Sequence, residues 1–433
     1  MMYSPVDAVE VSAWGRRVGA VALDPAVGSY VFEYYPEWRG SGIELSPLHL
    51  PLSGSSYVFP ALSAETFFRL PPLLADSLPD DFGNALIDAS LARQGIRGSE
   101  ITPLDRLAYL ASRAMGALEF RPSRGPRNRR PSPVELGDLV EGARSMLGGR
   151  FTGDRETEAA LQSLIQVGTS AGGARAKAVI AWNPETGQIR SGQLPADPGF
   201  GYWLVKLDGV GADAELGSGG LYGRVEYAYH LMAVQAGIAM SESRLLEENG
   251  RAHFMTKRFD RVVDADGSTR KVHSLTLCGL AHLDFRLRGT HDYAQYFQTI
   301  DALGLAPEAR VEGFRRMVFN VLARNCDDHT KNFSFVLDAG AGKGWELAPA
   351  YDLTYAYNPD GEWTYQHLMS VNGRFDRIER ADLLEVADRF RIPRARSVIA
   401  EVAGAVAEWD RFAEAAGVDP RQAKLIGASY PRL

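Results

Sequence analysis

Six residues, Asp327-Asp-His-Thr-Lys-Asn332, set only polar or ionisable side chains, among them Asp327, Asp328, His329, Lys331 and Asn332, between two segments of different periodicity. Before them, Phe314, Met317, Val318, Val321 and Leu322 fall at i, i+3, i+4, i+7 and i+8, the spacing of an amphipathic helix. After them, Phe333, Phe335 and Leu337 alternate with Ser334 and Val336, as in a half-buried strand. A Gly-rich turn, Asp338 to Gly344, leads to a second short strand, Trp345 to Leu347, and then to Ala350-Tyr-Asp352-Leu. A polar loop between a helix and a hairpin, with one more aspartate at the hairpin's exit, limits the chain to folds that display loops on an α+β frame.

This layout suits phosphoryl transfer. That reaction needs a carboxylate to take the proton of the incoming hydroxyl. It also needs oxygen ligands for a Mg²⁺ that neutralises phosphate charge. An Asp-x-x-x-x-Asn spacing supplies the base, Asp327, and one ligand, Asn332. Asp352, across the hairpin, supplies the other. By itself the loop also reads as a solvated acidic turn, since Asp and Asn favour turns.

The chain has 433 residues, enough for two or three domains. A net charge of −7 disfavours general nucleic-acid affinity but leaves room for a local basic patch. Two cysteines, Cys278 and Cys326, with no Cys-x-x-Cys, argue against a disulfide framework or a zinc site and suit a reducing compartment. The start lacks a basic and apolar signal segment, and no apolar run approaches membrane-spanning length. The expectation is a cytoplasmic protein.

From the N-terminus, Val9, Val11 and Ala13 alternate, Trp14 to Arg17 turns, and strands follow over Val18–Leu23 and Tyr30–Tyr34. Two prolines keep Leu45–Leu52 extended. Helices are predicted over Asn84–Arg93 and Asp105–Ala117. Arg121–Pro133 holds five arginines and four prolines and reads as an exposed linker, with acidic partners or nucleic acid as its candidate contacts. Beyond it a helix is predicted over Thr157–Gln166, then a Gly-rich turn from Gly168 to Lys177, then the apolar strand Ala178–Trp182. Such a turn can offer backbone N–H groups to phosphate oxygens, or it is a plain hairpin. It lacks the Lys-then-helix arrangement of a Walker A loop.

The strand Gly201–Leu207 alternates so that Tyr202, Leu204 and Lys206 share a face. A lysine there either meets an anion or extends its ammonium to water. A helix over Tyr222–Ala236, closed by Gly237, carries Glu226 beside its apolar stripe, as a partner for Lys206 or as a surface residue. After the strand Arg251–Phe259 the pattern turns helical: Leu275–Leu280, Tyr293–Leu303, Val311–Leu322, Ala381–Phe390 and a last long helix over Ser397–Ala416. The expected fold is therefore α+β and two-lobed. The divisions are 1–120, an α/β subdomain; 121–135, the linker; 136–262, a strand-rich lobe; and 263–433, a mainly helical lobe.

The order of parts is Gly-rich turn, strand lysine, helix glutamate, connecting strand, Asp-x-x-x-x-Asn loop, hairpin and aspartate. It is that of a protein-kinase-like enzyme, although His-Arg-Asp, Asp-Phe-Gly and Ala-Pro-Glu are absent. The chain resembles the HipA family, the serine/threonine-kinase toxins of bacterial type II toxin–antitoxin modules. The resemblance rests on Trp14-Gly, Phe32-Glu-Tyr, Leu45-Ser-Pro-Leu, Asp76-Ser-Leu-Pro-Asp-Asp-Phe-Gly83, Gly172-Gly-Ala-Arg-Ala-Lys177, Arg258-Phe-Asp-Arg261, Asp327-Asp-His-Thr-Lys-Asn-Phe-Ser334 and Tyr351-Asp352.

By that resemblance Asp327 is the general base, and Asn332 and Asp352 bind Mg²⁺. Lys206 holds the ATP phosphates, with His329 and Lys331 near them and Tyr351 beside the metal ligand. Gly172, Gly173, Ala174, Arg175, Ala176 and Lys177 form the phosphate-covering loop. Lys257, Arg258 and Phe259 form the hinge, reading adenine through backbone groups. Ser170, or its neighbour Thr169, is the self-modified position, where added negative charge beside the nucleotide switches the kinase off. Arg175 and Ala176 depart from the Gln-Glu of the best-known member, so loop contacts differ.

The resemblance further implies ATP and Mg²⁺ as cofactors and a translation factor, foremost an aminoacyl-tRNA synthetase, as substrate. It implies a HipB-like helix-turn-helix antitoxin as partner, with operator DNA reached only through that complex. Two other readings stand beside it: a small-molecule kinase of similar architecture, and a catalytically silent partner in a repressor complex. Intact Asp327, Asn332, Asp352 and Lys206 argue against the silent one.

Overall fold

The computed structural model describes residues 3–126, 133–147, 155–168, 175–210, 222–264 and 267–431. It divides into two compact units. One comprises Met1–Gly211, Lys257–His282 and Val336–Gly344; the other comprises Ala212–Thr256, Leu283–Phe335 and Trp345–Leu433.

The first unit opens with an antiparallel four-stranded sheet in the order Ser29–Tyr34, Arg16–Asp24, Ala8–Ala13, Leu118–Arg121. Val9, Val11 and Ala13 are fully buried, as their alternation predicts. Trp14 and Gly15, both at positive φ, make the tight turn between the first two strands. Gly19 is required where it stands: a Cβ there would lie 2.1 Å from the Glu33 carbonyl oxygen.

The helix predicted from Asn84 starts earlier, at Asp81, because the Asp80 side chain caps it by accepting from the Gly83 N–H at 2.8 Å. The helix predicted over Asp105–Ala117 is shorter. It runs Pro103–Leu110 behind a Thr102/Asp105 capping box and stops where Ala111 adopts φ +51°. The residues beyond it leave for the sheet strand Leu118–Arg121, where Leu118 and Phe120 are buried.

The near end of the expected linker is tied down. Arg124 donates its backbone N–H to Ala108 O and its guanidinium to Ser4 O. Helices Leu136–Leu147 and Arg155–Val167 pack on each other, followed by the antiparallel strands Ile189–Ser191, Lys177–Trp182 and Gly201–Lys206, in that spatial order. The segment Leu275–Leu280, expected to be helical, divides. His273–Thr276 is strand and Leu277–Ala281 is helix, because the Asp76 carboxylate grips Thr276 at its N–H and hydroxyl, each at 2.7 Å, and Thr276 in turn caps the helix.

In the second unit, helix Tyr222–Gln235 ends at Gly237 with φ +81°, and Ser243–Glu248 pairs antiparallel with Arg251–Lys257. Helices Tyr293–Ala302 and Pro307–Leu322 enclose a core of Tyr293, Tyr296, Phe297, Phe314 and Phe319, all 0% exposed. The long helix expected over Ser397–Ala416 is two, Ala395–Ala407 and Trp409–Ala416. The break at Glu408 lets Trp409 bury against Tyr229, centroids 5.4 Å apart, and donate to Ala423 O at 2.8 Å. Among the described residues no helix is long and apolar enough to cross a membrane.

Candidate active site

The polar loop leaves helix Pro307–Leu322 through Arg324, whose φ of +52° turns the chain sharply. Backbone bonds tie it to the segment after Asp352: Cys326 N–H to Ala356 O and Ala356 N–H to Arg324 O, both 3.1 Å. Asn325 closes the corner by donating to Asn320 Oδ1 at 2.9 Å.

The two aspartates of the loop then part ways. Asp328 is fully buried and takes three partners: Leu368 N–H at 2.8 Å, Tyr293 Oη at 2.8 Å and His367 Nδ1 at 2.9 Å. Asn320 supports the Tyr293 hydroxyl at 2.9 Å. Burial alone would discharge His367, but Cys326 and Asp328 outweigh it and hold the imidazole well above its ordinary pKa. Asp328 is therefore an anchor, its lone pairs consumed by the protein.

Asp327 keeps 39% of its side-chain surface open to solvent. The Trp363 indole N–H donates to its Oδ1 at 3.0 Å, and His329 Nε2 stands 3.8 Å from the same oxygen. Its pKa is raised, first by burial and then by the nearby Asp352 and Asp328 charges, against His329 and the indole bond, which pull it down. Water still reaches the group, whereas the Asp328 side chain has no exposed surface. Asp352 lies four residues before Ala356, whose backbone is tied to Cys326 and Arg324 just ahead of Asp327.

Asn332 lies at the end of the turn Thr330–Asn332 and donates its Nδ2 to Asp327 O at 2.7 Å. This fixes the amide so that its oxygen is the atom left to meet a cation. Tyr351 Oη donates to Lys331 O at 2.7 Å and holds the loop to the residue before Asp352. Lys331 Nζ lies 4.8 Å from the centre of the Phe285 ring, which also stacks obliquely on His329 at 5.4 Å.

Among the described residues no cluster of three or more His, Cys, Asp or Glu could hold a metal ion. Mg²⁺ does not require one, since it takes one or two protein oxygens and completes its shell with phosphate and water. The hard oxygens of Asn332 and Asp352 fit that pattern. His329 Nδ1 is buried without a protein partner, as an atom awaiting a ligand would be.

In the first unit, Ala176 and Lys177 are buried and Arg175 is half-buried, whereas Thr169, Ser170, Gly172, Gly173 and Ala174 lie outside the described residues. Lys177, expected in the phosphate loop, is the first residue of its strand, and its ammonium sits 2.9 Å from Asp80 Oδ2. A buried cation needs partners, and Asp80 is one of them. Burial raises the Asp80 pKa and Lys177 opposes the rise. Lys206 faces Lys177 across the strand pair and is only half-buried.

Arg258, expected in the hinge, gives its backbone N–H to Tyr202 O at 2.9 Å and its guanidinium to both Asp260 oxygens, at 2.8 and 2.7 Å. Arg261 and the Gly116 N–H complete this buried network. Burial pushes the Asp260 carboxyl up, but the two guanidiniums carry it well below the usual range. Arg258 thus serves the scaffold. Lys257 is exposed and Phe259 half-buried. Glu226, 2% exposed, is no surface residue.

Sequence reasoning missed Trp363, His367 and Tyr293. Trp363 and His367 come from an irregular stretch some forty residues after the loop, with no periodicity to mark them.

Known proteins agree with this frame. Residues 9–121 match the family model of the HipA N-terminal domain, and residues 169–409, more than half of the chain, match that of the HipA-like C-terminal domain. A putative kinase, Y4mE, of Sinorhizobium fredii is 29% identical over 136 residues, 30% of this chain and 31% of that protein, so the chain spans under a third of its length. The HipA chain of a Shewanella oneidensis MR-1 toxin–antitoxin complex with HipB and operator DNA superposes over 97% of this chain and 94% of that one, with TM-score 0.68 and 17% identity. A Helicobacter pylori proinflammatory kinase, CtkA, aligns over 53% of this chain and 90% of that one at TM-score 0.33 and 14% identity. The fold is thus the α+β, kinase-like one expected, and with both domain models matched in order the chain belongs to the HipA family.

Proposed function

We propose that this protein is an ATP-dependent serine/threonine protein kinase that acts as a type II toxin. The observation that carries the reading is the division of labour in the loop: Asp328 is consumed by the scaffold, while Asp327 beside it stays accessible, next to Asn332 and the charge of Asp352.

In this reading an Asp327 oxygen takes the proton of a serine or threonine hydroxyl. The hydroxyl oxygen bonds to the γ-phosphorus, and the bond from that phosphorus to the bridging oxygen breaks, with ADP leaving. Mg²⁺ on Asn332 and Asp352 would neutralise phosphate charge. The buried His329 Nδ1, without a hydrogen-bond partner among the described residues, would in its protonated form donate to a phosphate oxygen, and Lys331 would supply positive charge.

Leu287 and Tyr365 are exposed, 49% and 44% accessible. They flank Arg288 and Trp363, whose loops Arg288 joins by its bond to Glu362 at 3.0 Å. An aminoacyl-tRNA synthetase is the substrate we infer. Since the Shewanella chain is found with HipB and operator DNA, a HipB-like antitoxin is the inferred partner. Ser170 is the proposed site of self-inactivation, with Thr169 beside it.

The test is intact mass and peptide mapping after incubation with Mg²⁺-ATP, for wild type beside Asp327→Ala. Phosphate on Ser170 in the wild type alone supports the reading. Retained phosphorylation in Asp327→Ala removes the base assignment, and wild type that binds no ATP removes the kinase. Incubation with a panel of purified synthetases then reads the substrate.

A further inference from the structure

Among the described residues the indole of Trp363 is the one side chain with a direct hydrogen bond to the Asp327 carboxylate, at 3.0 Å to Oδ1. His329, at 3.8 Å, is too far for one. No hydrogen bond to Oδ2 is found among the described residues. The indole is itself held in place. The Arg288 guanidinium stands 5.8 Å from the centre of its ring, and the same group bonds Glu362, the preceding residue, at both the backbone oxygen and the carboxylate. One guanidinium thus restrains the indole both through its ring face and through the neighbouring residue.

An aspartate carboxylate otherwise turns readily, since the torsion that swings its two oxygens is broad and roughly two-fold. A general base gains from having that rotation stopped, because proton transfer needs hydrogen-bond geometry with the substrate hydroxyl. We infer that Trp363 is a positioning residue: it holds Asp327 Oδ1 so that Oδ2 is presented to the substrate hydroxyl, and Arg288 braces it from behind. The catalytic part of this inference rests on the phosphotransfer reading. The contact itself does not.

Two measurements separate them. In steady-state kinetics, Trp363→Phe keeps an aromatic ring for Arg288 and removes the N–H together with part of the indole's area. The expected result is a fall in kcat of about 10- to 100-fold, the scale of a misplaced catalytic group. KM for ATP stays within about twofold, and Arg288→Ala loses less in the same direction. Unchanged or raised kcat overturns the inference, a rise meaning that the indole blocks the base.

The second measurement uses nucleotide-free protein labelled with ¹⁵N at the indole nitrogens of its seven tryptophans. The resonance that vanishes in Trp363→Phe is expected to move in Asp327→Asn while the others stay. An indifferent resonance overturns the contact. A responsive resonance in a wild-type protein that transfers no phosphate overturns the kinase reading and the catalytic role with it, leaving Trp363 a structural brace.

Discussion

Asp327 and Asp328 are neighbours in opposite surroundings, and replacing Asp328 by alanine measures what its burial contributes to the fold. The Asp328 carboxylate has no exposed surface and takes donors from Leu368, Tyr293 and His367. Removing it strands a charged imidazole and two further donors in the interior. Breaking a buried ion pair from one side costs about 3–5 kcal/mol. For a unit of this size each kcal/mol moves Tm by about 2–4 °C, so Asp328→Ala is expected to lower it by about 6–20 °C. Asp327→Ala, at a position 39% exposed, should change it by no more than about 2 °C.

The pH dependence has a definite sign. The His367 pKa is raised above its ordinary 6.5 in the folded state, against the pull of burial, by Cys326 and Asp328. Its contribution is complete below 6.5 and is lost as pH rises through the raised value. The deficit of Asp328→Ala is therefore largest in mildly acidic buffer and shrinks as pH climbs. Differential scanning calorimetry of both variants across pH reads this directly. A Tm drop under about 2 °C for Asp328→Ala, or equal drops for the two aspartates, would refute the division of roles.

Three further outcomes follow from other contacts. Asp352→Ala should weaken Mg²⁺-ATP binding at least about tenfold in titration calorimetry, the loss of one metal ligand, and unchanged affinity would remove it from the metal site. Lys177→Met should destabilise by about 3–5 kcal/mol in urea by leaving Asp80 buried and uncompensated. Adding Asp80→Asn, which keeps the helix cap, should recover most of that loss; a double variant no better than the single one would mean that the pair is not the cause. His282, stacked on His49 with centroids 4.0 Å apart, has its pKa lowered to about 3 by burial and by His49. Its contribution is full above 6.5 and falls as pH drops towards 3. Urea midpoints should thus lose about 1 kcal/mol between pH 6.5 and 5.5, and a His282→Asn protein should show a flatter profile.

Local pattern made the frame readable before any coordinates. The 3.6-residue stripe ending at Leu322 gave its helix, and the alternation of Val9, Val11 and Ala13 gave an inward strand face. Boundaries were missed where a side-chain contact intervened, whether next to the element or far along the chain. Asp80 capped one helix early, Asp76 split Leu275–Leu280 by holding Thr276, and burial of Trp409 broke the last long helix at Glu408. Neither Asp76 nor Trp409 leaves a periodic trace near the element it alters.

The candidate site divides in the same way. Spacing made Asp327, Asn332 and Asp352 candidates, because the proposed base and metal ligands stand at fixed offsets along one loop and its hairpin. Spacing could not tell Asp327 from Asp328 by environment, nor Lys177 from Lys206 by partner, nor find Trp363. Those distinctions depend on which side chains arrive from far along the chain: His367 and Leu368 at Asp328, Asp80 at Lys177, Trp363 at Asp327. The sequence by itself determined the elements and the chemical inventory, since both are set by neighbouring residues. Only the tertiary structure decided which carboxylate is spent on the scaffold and which stays open for chemistry, because burial and hydrogen-bond supply belong to the packed interior and not to any short stretch of chain.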